Sequence, residues 1–369
     1  MSKHHRSSSS SPSSTSAVPP AIQSTQEPPP QKVEIVSAFT APSGIIKIAE
    51  NAGYVKGNLS ITNMLIQGFL GGLYIAFGGM VAITVGKNTG NLPGGISKFL
   101  FGATFPIGLV LVVIAGAELV TGNMATLIPA WLNGRIKWWQ MLNNWFWVYI
   151  GNFMGSLFCA FVLAFSTNIF GGDPYLTNIQ AIAHLKCKEN SWYQNFALGI
   201  GCNILVAQAI FMSMAAKDLS SKVICIWFPI QSFVTIGFEH CVANMFFVTA
   251  GIMYGADVSF GRFVGSNLVP VTLGNIVGAS FFVGMIYWYL YGMNKPQKQE
   301  IKRPYAYHDD HDHDEDVDIS SDGSDEYHDN DRHHHRHHDK DIEMGKVGHK
   351  KKHKKAKKES DSTSSNESV

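Results

Sequence analysis

The chain has 369 residues, 46% of them hydrophobic, and 29 Lys and Arg against 28 Asp and Glu give a formal net charge of +1. No nucleic-acid partner is expected, and the five cysteines fall in no metal or disulfide spacing, which speaks against a zinc module or a disulfide scaffold. The average hides two unlike kinds of sequence. Between about Thr40 and Met293 the acidic residues are Glu50, Glu118, Asp173, Glu189, Asp218, Glu239 and Asp257 alone, set among apolar runs long enough to cross a bilayer.

In chain order, residues 1–42 form a Ser/Pro-rich arm with Ser7 to Ser11 unbroken. It lacks the apolar core of a signal peptide and reads as disordered. Residues 43–57, S-G-I-I-K-I-A-E-N-A-G-Y-V-K-G, place apolar side chains at helical spacing after a Ser start. The pattern predicts a short amphipathic helix lying in the membrane interface. Residues 58–294 hold six apolar spans: Ile61 to Val85, Phe99 to Trp131, Leu142 to Phe165, Phe196 to Met214, Val223 to Met253 and Val264 to Tyr291. Residues 295–369 form a tail, an Asp/His-rich tract followed by a Lys-rich run from Lys350 to Lys358, which cannot bury a core and reads as a disordered cytoplasmic segment.

The second and fifth spans carry two related nonapeptides, G-A-E-L-V-T-G-N-M (Gly116 to Met124) and G-F-E-H-C-V-A-N-M (Gly237 to Met245). Each sets a carboxylate, Glu118 or Glu239, in apolar surroundings, where ionisable groups are costly and face a pathway rather than lipid. Both spans exceed the twenty or so residues that a crossing helix needs, so each is expected to be a half-helix, a break and a second half-helix, with the break facing protein or a cavity. The third and sixth spans carry G-N-F-M-G-S (Gly151 to Ser156) and G-N-I-V-G-A (Gly274 to Ala279), a close-packing pattern. Three spans per copy is an odd number, so the halves run oppositely through the membrane. The expected fold is therefore an all-α membrane protein of six transmembrane helices in an inverted 3+3 repeat, with the second and fifth broken. The mild excess of Lys and Arg favours both termini in the cytoplasm.

From Ser43 to Tyr291 the chain resembles the formate/nitrite transporter family. The resemblance rests on six stretches in order: I-I-K-I-A-E-N-A-G-Y-V-K, F-G-A-T-F-P-I-G-L, A-G-A-E-L-V-T-G-N, G-C-N-I-L-V-A, G-F-E-H-C-V-A-N-M-F and N-L-V-P-V-T-L-G-N-I-V-G. It implies an aquaporin-like protomer, a homopentamer with one pore per subunit in the plasma membrane, and small monovalent weak-acid anions such as formate or nitrite as cargo. It also places Phe105, Leu109, Leu119, Val206 and Phe233 at pore constrictions, and His240, Thr121 and Asn203 around a central chamber. The family's lysine-bearing segment before the fourth span reads H-L-K-C-K-E-N here, so Lys186 or Lys188 is expected to attract anions at the vestibule.

Histidine titrates near neutrality, and His240, inside a predicted span, is the sharpest candidate for handling a proton. Bare anions beside an anion path would repel the cargo, so Glu118 and Glu239, with Asn123 and Asn244, are expected to brace the breaks through the backbone N–H groups freed there. Thr121 offers either a hydroxyl donor or a helix cap. Small-anion transport with a proton as partner is the expected function, with the neutral acid crossing the slits. The rivals are an aquaporin-like channel, for which neither break has an N-P-A motif, and a divalent-metal transporter fed by the His-rich tail. No nucleophile–base pair, cofactor loop or intramembrane metal-ligand set is evident, so neither an enzyme nor a cofactor is expected.

Overall fold

The structure is a computed structural model describing residues 37–90 and 92–293. The arm to residue 36 and the tail from 294, with the disorder expected of both, lie outside the described residues. Within them the fold is helical, with no strand beyond an isolated bridge between Phe39 and Ala216. Among the described residues, six helices are long and apolar enough to cross a membrane.

Helix α1 spans Pro42–Gly57, with Pro42 at its first turn, where the missing N–H is no loss. Helix α2 spans Ile61–Gly86 and starts where the Ser60 hydroxyl accepts the Asn63 N–H at 3.3 Å. Helix α3 spans Gly94–Ala115 and is interrupted at Phe105–Pro106, because a proline ring displaces the preceding turn. Helix α4 is Val120–Leu132, and α5 is Trp138–Phe165. A short helix α6, Tyr175–His184, lies between the third and fourth predicted spans and runs into a wider turn at Leu185–Glu189. Helix α7, Trp192–Ala215, begins with a reciprocal cap between Ser191 and Gln194. Asp218 caps α8, Leu219–Ile236, by accepting the Ser221 N–H at 2.9 Å. Then come α9, Cys241–Met253, and α10, Phe260–Gly292.

The two breaks fall where the nonapeptides put them, but the pieces are unequal. Helix α3 has 22 residues and α8 has 18, whereas α4 and α9 have 13 each. At 1.5 Å per residue a 13-residue helix reaches only about 20 Å, short of a ~30 Å hydrocarbon core. The α4 residues 120–130 and the α9 residues 241–251 are all buried. Ahead of them Ala117 to Leu119, Glu239 and His240 are buried, while Gly116 and Gly237 are exposed and line cavities, the surroundings in which irregular backbone is tolerated at membrane depth. Gly116 (φ 74°) and Gly237 (φ 94°) end α3 and α8 in the left-handed region that side-chain-bearing residues avoid.

Helices α2 and α5 pack together, as do α7 and α10, through the paired glycine motifs. A Cβ on Gly155 would lie 1.9 Å from the Phe69 carbonyl oxygen, and one on Gly278 would lie 2.3 Å from that of Ile200. Close approach of backbones, the role expected of these glycines, is what the geometry shows. Gly155→Ala and Gly278→Ala should each cost about 1–3 kcal/mol through overpacking, read as a lower thermal midpoint in detergent. Gly95→Ala, with nothing within 4 Å of its added carbon, should leave it unchanged; equal midpoints for all three would refute the close-packing account.

Candidate functional site

Each break is held by a polar frame, and the two frames match residue for residue. At the first, the Val120 N–H donates to Asn152 Oδ1 at 3.0 Å, while Asn152 Nδ2 donates to the carbonyls of Gly68 at 2.7 Å and Glu118 at 2.8 Å. At the second, the Cys241 N–H donates to Asn275 Oδ1 at 2.9 Å, and Asn275 Nδ2 donates to the carbonyls of Gly199 at 2.8 Å and Glu239 at 3.0 Å. Side-chain amides thus replace the lost helical partners.

The carboxylates have other partners than those expected. They were assigned the freed backbone N–H groups; the asparagines take those, because an amide offers acceptor and donor together where a carboxylate only accepts. The Lys56 ammonium pairs with Glu118 Oε1, and Asn123 Nδ2 donates to Glu118 Oε2 at 2.6 Å. Asn123 also donates to Asn144 at 2.8 Å, whose own amide donates to the Lys56 carbonyl at 3.0 Å. The Lys186 ammonium reaches both oxygens of Glu239, at 2.8 and 2.9 Å, and Asn244 Nδ2 donates to Oε2 at 2.6 Å. Asn244 likewise donates to Asn267 at 2.9 Å, and Asn267 donates to the Lys186 carbonyl at 3.1 Å. Neither anion is bare; each is buried in a pair that also hydrogen-bonds, as burial of charge requires.

Sequence reasoning missed Lys56, Asn144, Asn152, Asn267 and Asn275. The signal was present: N-W-F-W-V-Y-I-G-N (Asn144 to Asn152) and N-L-V-P-V-T-L-G-N (Asn267 to Asn275) repeat the same spacing and the same closing G-N.

Between the frames lies a small chamber of about 10 Å³ lined by Ile75, Phe105, Leu109, Leu119, Val206, Ile230, Phe233 and His240. That is room for about one water. All five residues expected at constrictions meet here together with His240; Ile75 and Ile230 join them. Leu119 and His240 are the residues that open α4 and α9, so both helix N-termini, with their partial positive charge, abut the chamber. Phe233 stacks on the His240 ring at 6.0 Å and meets Phe105 edge-on at 6.1 Å.

His240 Nδ1 accepts the Ala243 N–H at 3.1 Å, and Nε2 lies 2.9 Å from Thr121 Oγ1. A backbone N–H can only donate, so Nδ1 carries no proton, and a neutral ring carries its proton on Nε2. Nε2–H then donates to Thr121 Oγ1, which leaves the threonine's own proton free to point elsewhere. Of the two roles open to Thr121, the cap is not adopted: Leu119 holds the cap position of α4. Of the three residues expected around the chamber only His240 lines it: Thr121 lies behind His240, and Asn203 is not in the lining. Asn203 has another task. It ties three elements, its Nδ2 donating to the carbonyls of Thr121 at 3.2 Å and Asn275 at 2.8 Å.

Two wider cavities flank the chamber. One, of about 160 Å³, shares Phe105, Phe233 and His240 with it and includes Lys87, Lys98, Lys186 and Glu239. The other, of about 460 Å³, shares Leu119 and includes Lys56, Glu118, Asn123 and Lys222. Lys186 thus lies where a vestibule lysine was expected. Lys188 does not line this vestibule; its ammonium is 2.7 Å from Asp257, a hydrogen bond that holds the Asp257 carboxyl below its ordinary range.

A profile of the formate/nitrite transporter family matches residues 43–289. The chain belongs to the formate/nitrite transporter family. Among its relatives in that family, a probable formate transporter of Methanothermobacter thermautotrophicus is 40% identical over 270 residues, which cover 69% of this chain and 98% of that protein. Formate channel FocA of Haemophilus influenzae is 37% identical over 277 residues, covering 70% of this chain and 96% of its own. A solved pentameric formate channel with formate bound shares 36% identity and superposes with a TM-score of 0.56 over 63% of this chain and 97% of that one. These formate/nitrite transporter relatives are transporters and channels, not enzymes. Membership and the six apolar helices together make this chain an integral, multi-pass membrane protein.

Proposed function

We propose that the protein carries small monovalent weak-acid anions, formate, nitrite or related monocarboxylates, across the plasma membrane together with a proton. Each subunit of a homopentamer has its own pore, with both termini cytoplasmic and the two halves inverted about the chamber. The observation that carries this reading is the chamber's chemistry: one polar side chain, His240, hydrogen-bonded to Thr121, in an otherwise apolar lining. The anionic cargo of formate/nitrite transporter relatives supports the cargo class.

Energetics decide the form that crosses. Stripping a carboxylate of water costs several kcal/mol even after the protein relaxes. Protonating an acid of pKa near 4 at pH 7 costs about 4 kcal/mol, at 1.36 kcal/mol per unit, and the neutral acid then meets little further penalty in an apolar slit. Anions enter a vestibule, the helix N-termini of α4 and α9 hold them at the chamber, and the neutral acid passes. His240 acts by polarising the Thr121 hydroxyl toward the substrate oxygen rather than by giving up a proton of its own. As an imidazolium it would need a proton on Nδ1 and would forfeit the Ala243 N–H, so water reaching the vestibule supplies the proton. Lys56–Glu118 and Lys186–Glu239, with Asn123, Asn144, Asn244 and Asn267, brace the breaks, and Asn203 ties them together.

The test is initial uptake of labelled formate, nitrite, acetate and lactate by proteoliposomes at external pH 5.5 and 7.5. Uptake should rise as external pH falls and should alkalinise the medium. Equal uptake at both pH values, driven by voltage alone, would remove the proton from the mechanism; no uptake of any of the four would remove the cargo class. Thr121→Val, which keeps the shape but deletes the hydroxyl, should slow uptake on the order of tenfold or more, the cost of an unmet buried hydrogen-bonding group. A Thr121→Val variant with wild-type rates would exclude the hydroxyl from the path.

A further inference from the structure

Three lysines and one carboxylate line the smaller vestibule: Lys87, Lys98, Lys186 and Glu239. Lys186 holds both oxygens of Glu239 and also faces the Phe247 ring at 5.9 Å. At a few ångströms that pair is close to neutral, so the lysine nearest the chamber contributes little net charge to an approaching anion. Three lysines against one carboxylate leave two positive charges, and these belong to Lys87 and Lys98.

Both have the setting such a role needs. Neither is in an ion pair among the described residues. The segment between them, 87–98, contains no acidic residue. Asp173 belongs to a neighbouring segment that Asn178 links to the Lys87 carbonyl at 3.1 Å; it accepts from Thr177 at 2.6 and 3.2 Å and does not line this vestibule. The position of Lys87 is fixed from both ends: that amide holds its backbone, and its ammonium sits 5.6 Å over the Phe101 ring. Ser97, next to Lys98, donates to the Gly86 carbonyl at 2.7 Å and closes the loop between the lysines. Burial and the charge on Lys98 push the Lys87 ammonium below its ordinary range, so the two cations feel one another. From Lys87 a run of rings leads inward: Phe101 to Phe247 at 5.8 Å, Phe247 to Phe105 at 6.1 Å, and Phe105 to Phe233 at 6.1 Å. Phe233 abuts His240.

We propose that Lys87 and Lys98, rather than Lys186, supply the net positive charge that selects and concentrates anions at this vestibule. The inference rests on the weak-acid transport reading above. The two lysines act at the mouth, before the proton step, and Lys186 serves the break.

The experiment measures labelled formate uptake against concentration in proteoliposomes, at low ionic strength and at 1 M salt. Lys87→Gln/Lys98→Gln should raise the half-saturating concentration about fivefold at low ionic strength, the Coulomb effect of two unit charges at roughly 8 Å in water, with the maximal rate kept. The difference should vanish at 1 M, where the Debye length is about 3 Å. Lys87→Arg/Lys98→Arg should retain wild-type affinity and salt dependence. A glutamine variant with the wild-type half-saturating concentration and salt slope overturns this proposal alone; a wild-type protein that takes up no weak acid overturns it together with the transport reading.

Discussion

Lys186→Met is expected to leave little folded protein. Glu239, 3% exposed, would be left without its cationic partner, and breaking a buried pair by removing one partner costs about 3–5 kcal/mol. Whole domains are stable by only about 5–15 kcal/mol. The loss would spread, because Asn244 and Asn267 both donate to Glu239 Oε2. The double variant Lys186→Met/Glu239→Gln should recover most of the loss, since a neutral amide can still accept from Asn244 and no charge is stranded. The same comparison at Lys56 and Glu118 should give the same pattern. Yield of monodisperse protein and its thermal midpoint in detergent are the readouts. A single Lys186→Met variant as stable as wild type would show that the pair does not hold the break.

His240→Asn separates frame from chemistry. Asparagine is among the best residues at the start of a helix, and its Oδ1 can accept the Ala243 N–H that Nδ1 accepts now. Its shorter side chain does not reach Thr121 Oγ1. The variant should therefore fold with a thermal midpoint near that of wild type yet lose proton-linked uptake, leaving at most a voltage-driven anion leak. Proton-coupled uptake at wild-type rates, recorded by medium alkalinisation, would sink the role given to His240. Loss of the fold instead would mean that its ring stacking on Phe233 is structural.

Much of this was legible in the sequence, because membrane physics leaves few choices. An apolar stretch too long for one crossing, with a carboxylate in the middle, has to break there and be enclosed. The nonapeptides accordingly located both breaks, and glycines four apart located the tight helix contacts. Two things were not legible. The unequal pieces depend on residues 94–98 and 219–222 being helical, although their composition resembles a loop. The partners of the carboxylates depend on long-range packing: Lys56 is 62 residues from Glu118, and Lys186 is 53 from Glu239. The His240–Thr121 pair, 119 residues apart, was foreseen as neighbours through the family resemblance; the tautomer needed the Ala243 N–H.

The duplicated frames divide the molecule into positions that can drift and positions that cannot. Asn152 and Asn275 each satisfy three backbone groups, so a change in either disturbs a whole break. Leu119, Val206 and Ile230 wall the same chamber, yet their side chains have no hydrogen-bonding atoms with which to join those frames. Cargo size can therefore be retuned by trimming or swapping aliphatic walls while the scaffold keeps its shape. A lineage moving from one small acid to a bulkier one, or an engineer doing so deliberately, would find its tolerated substitutions there.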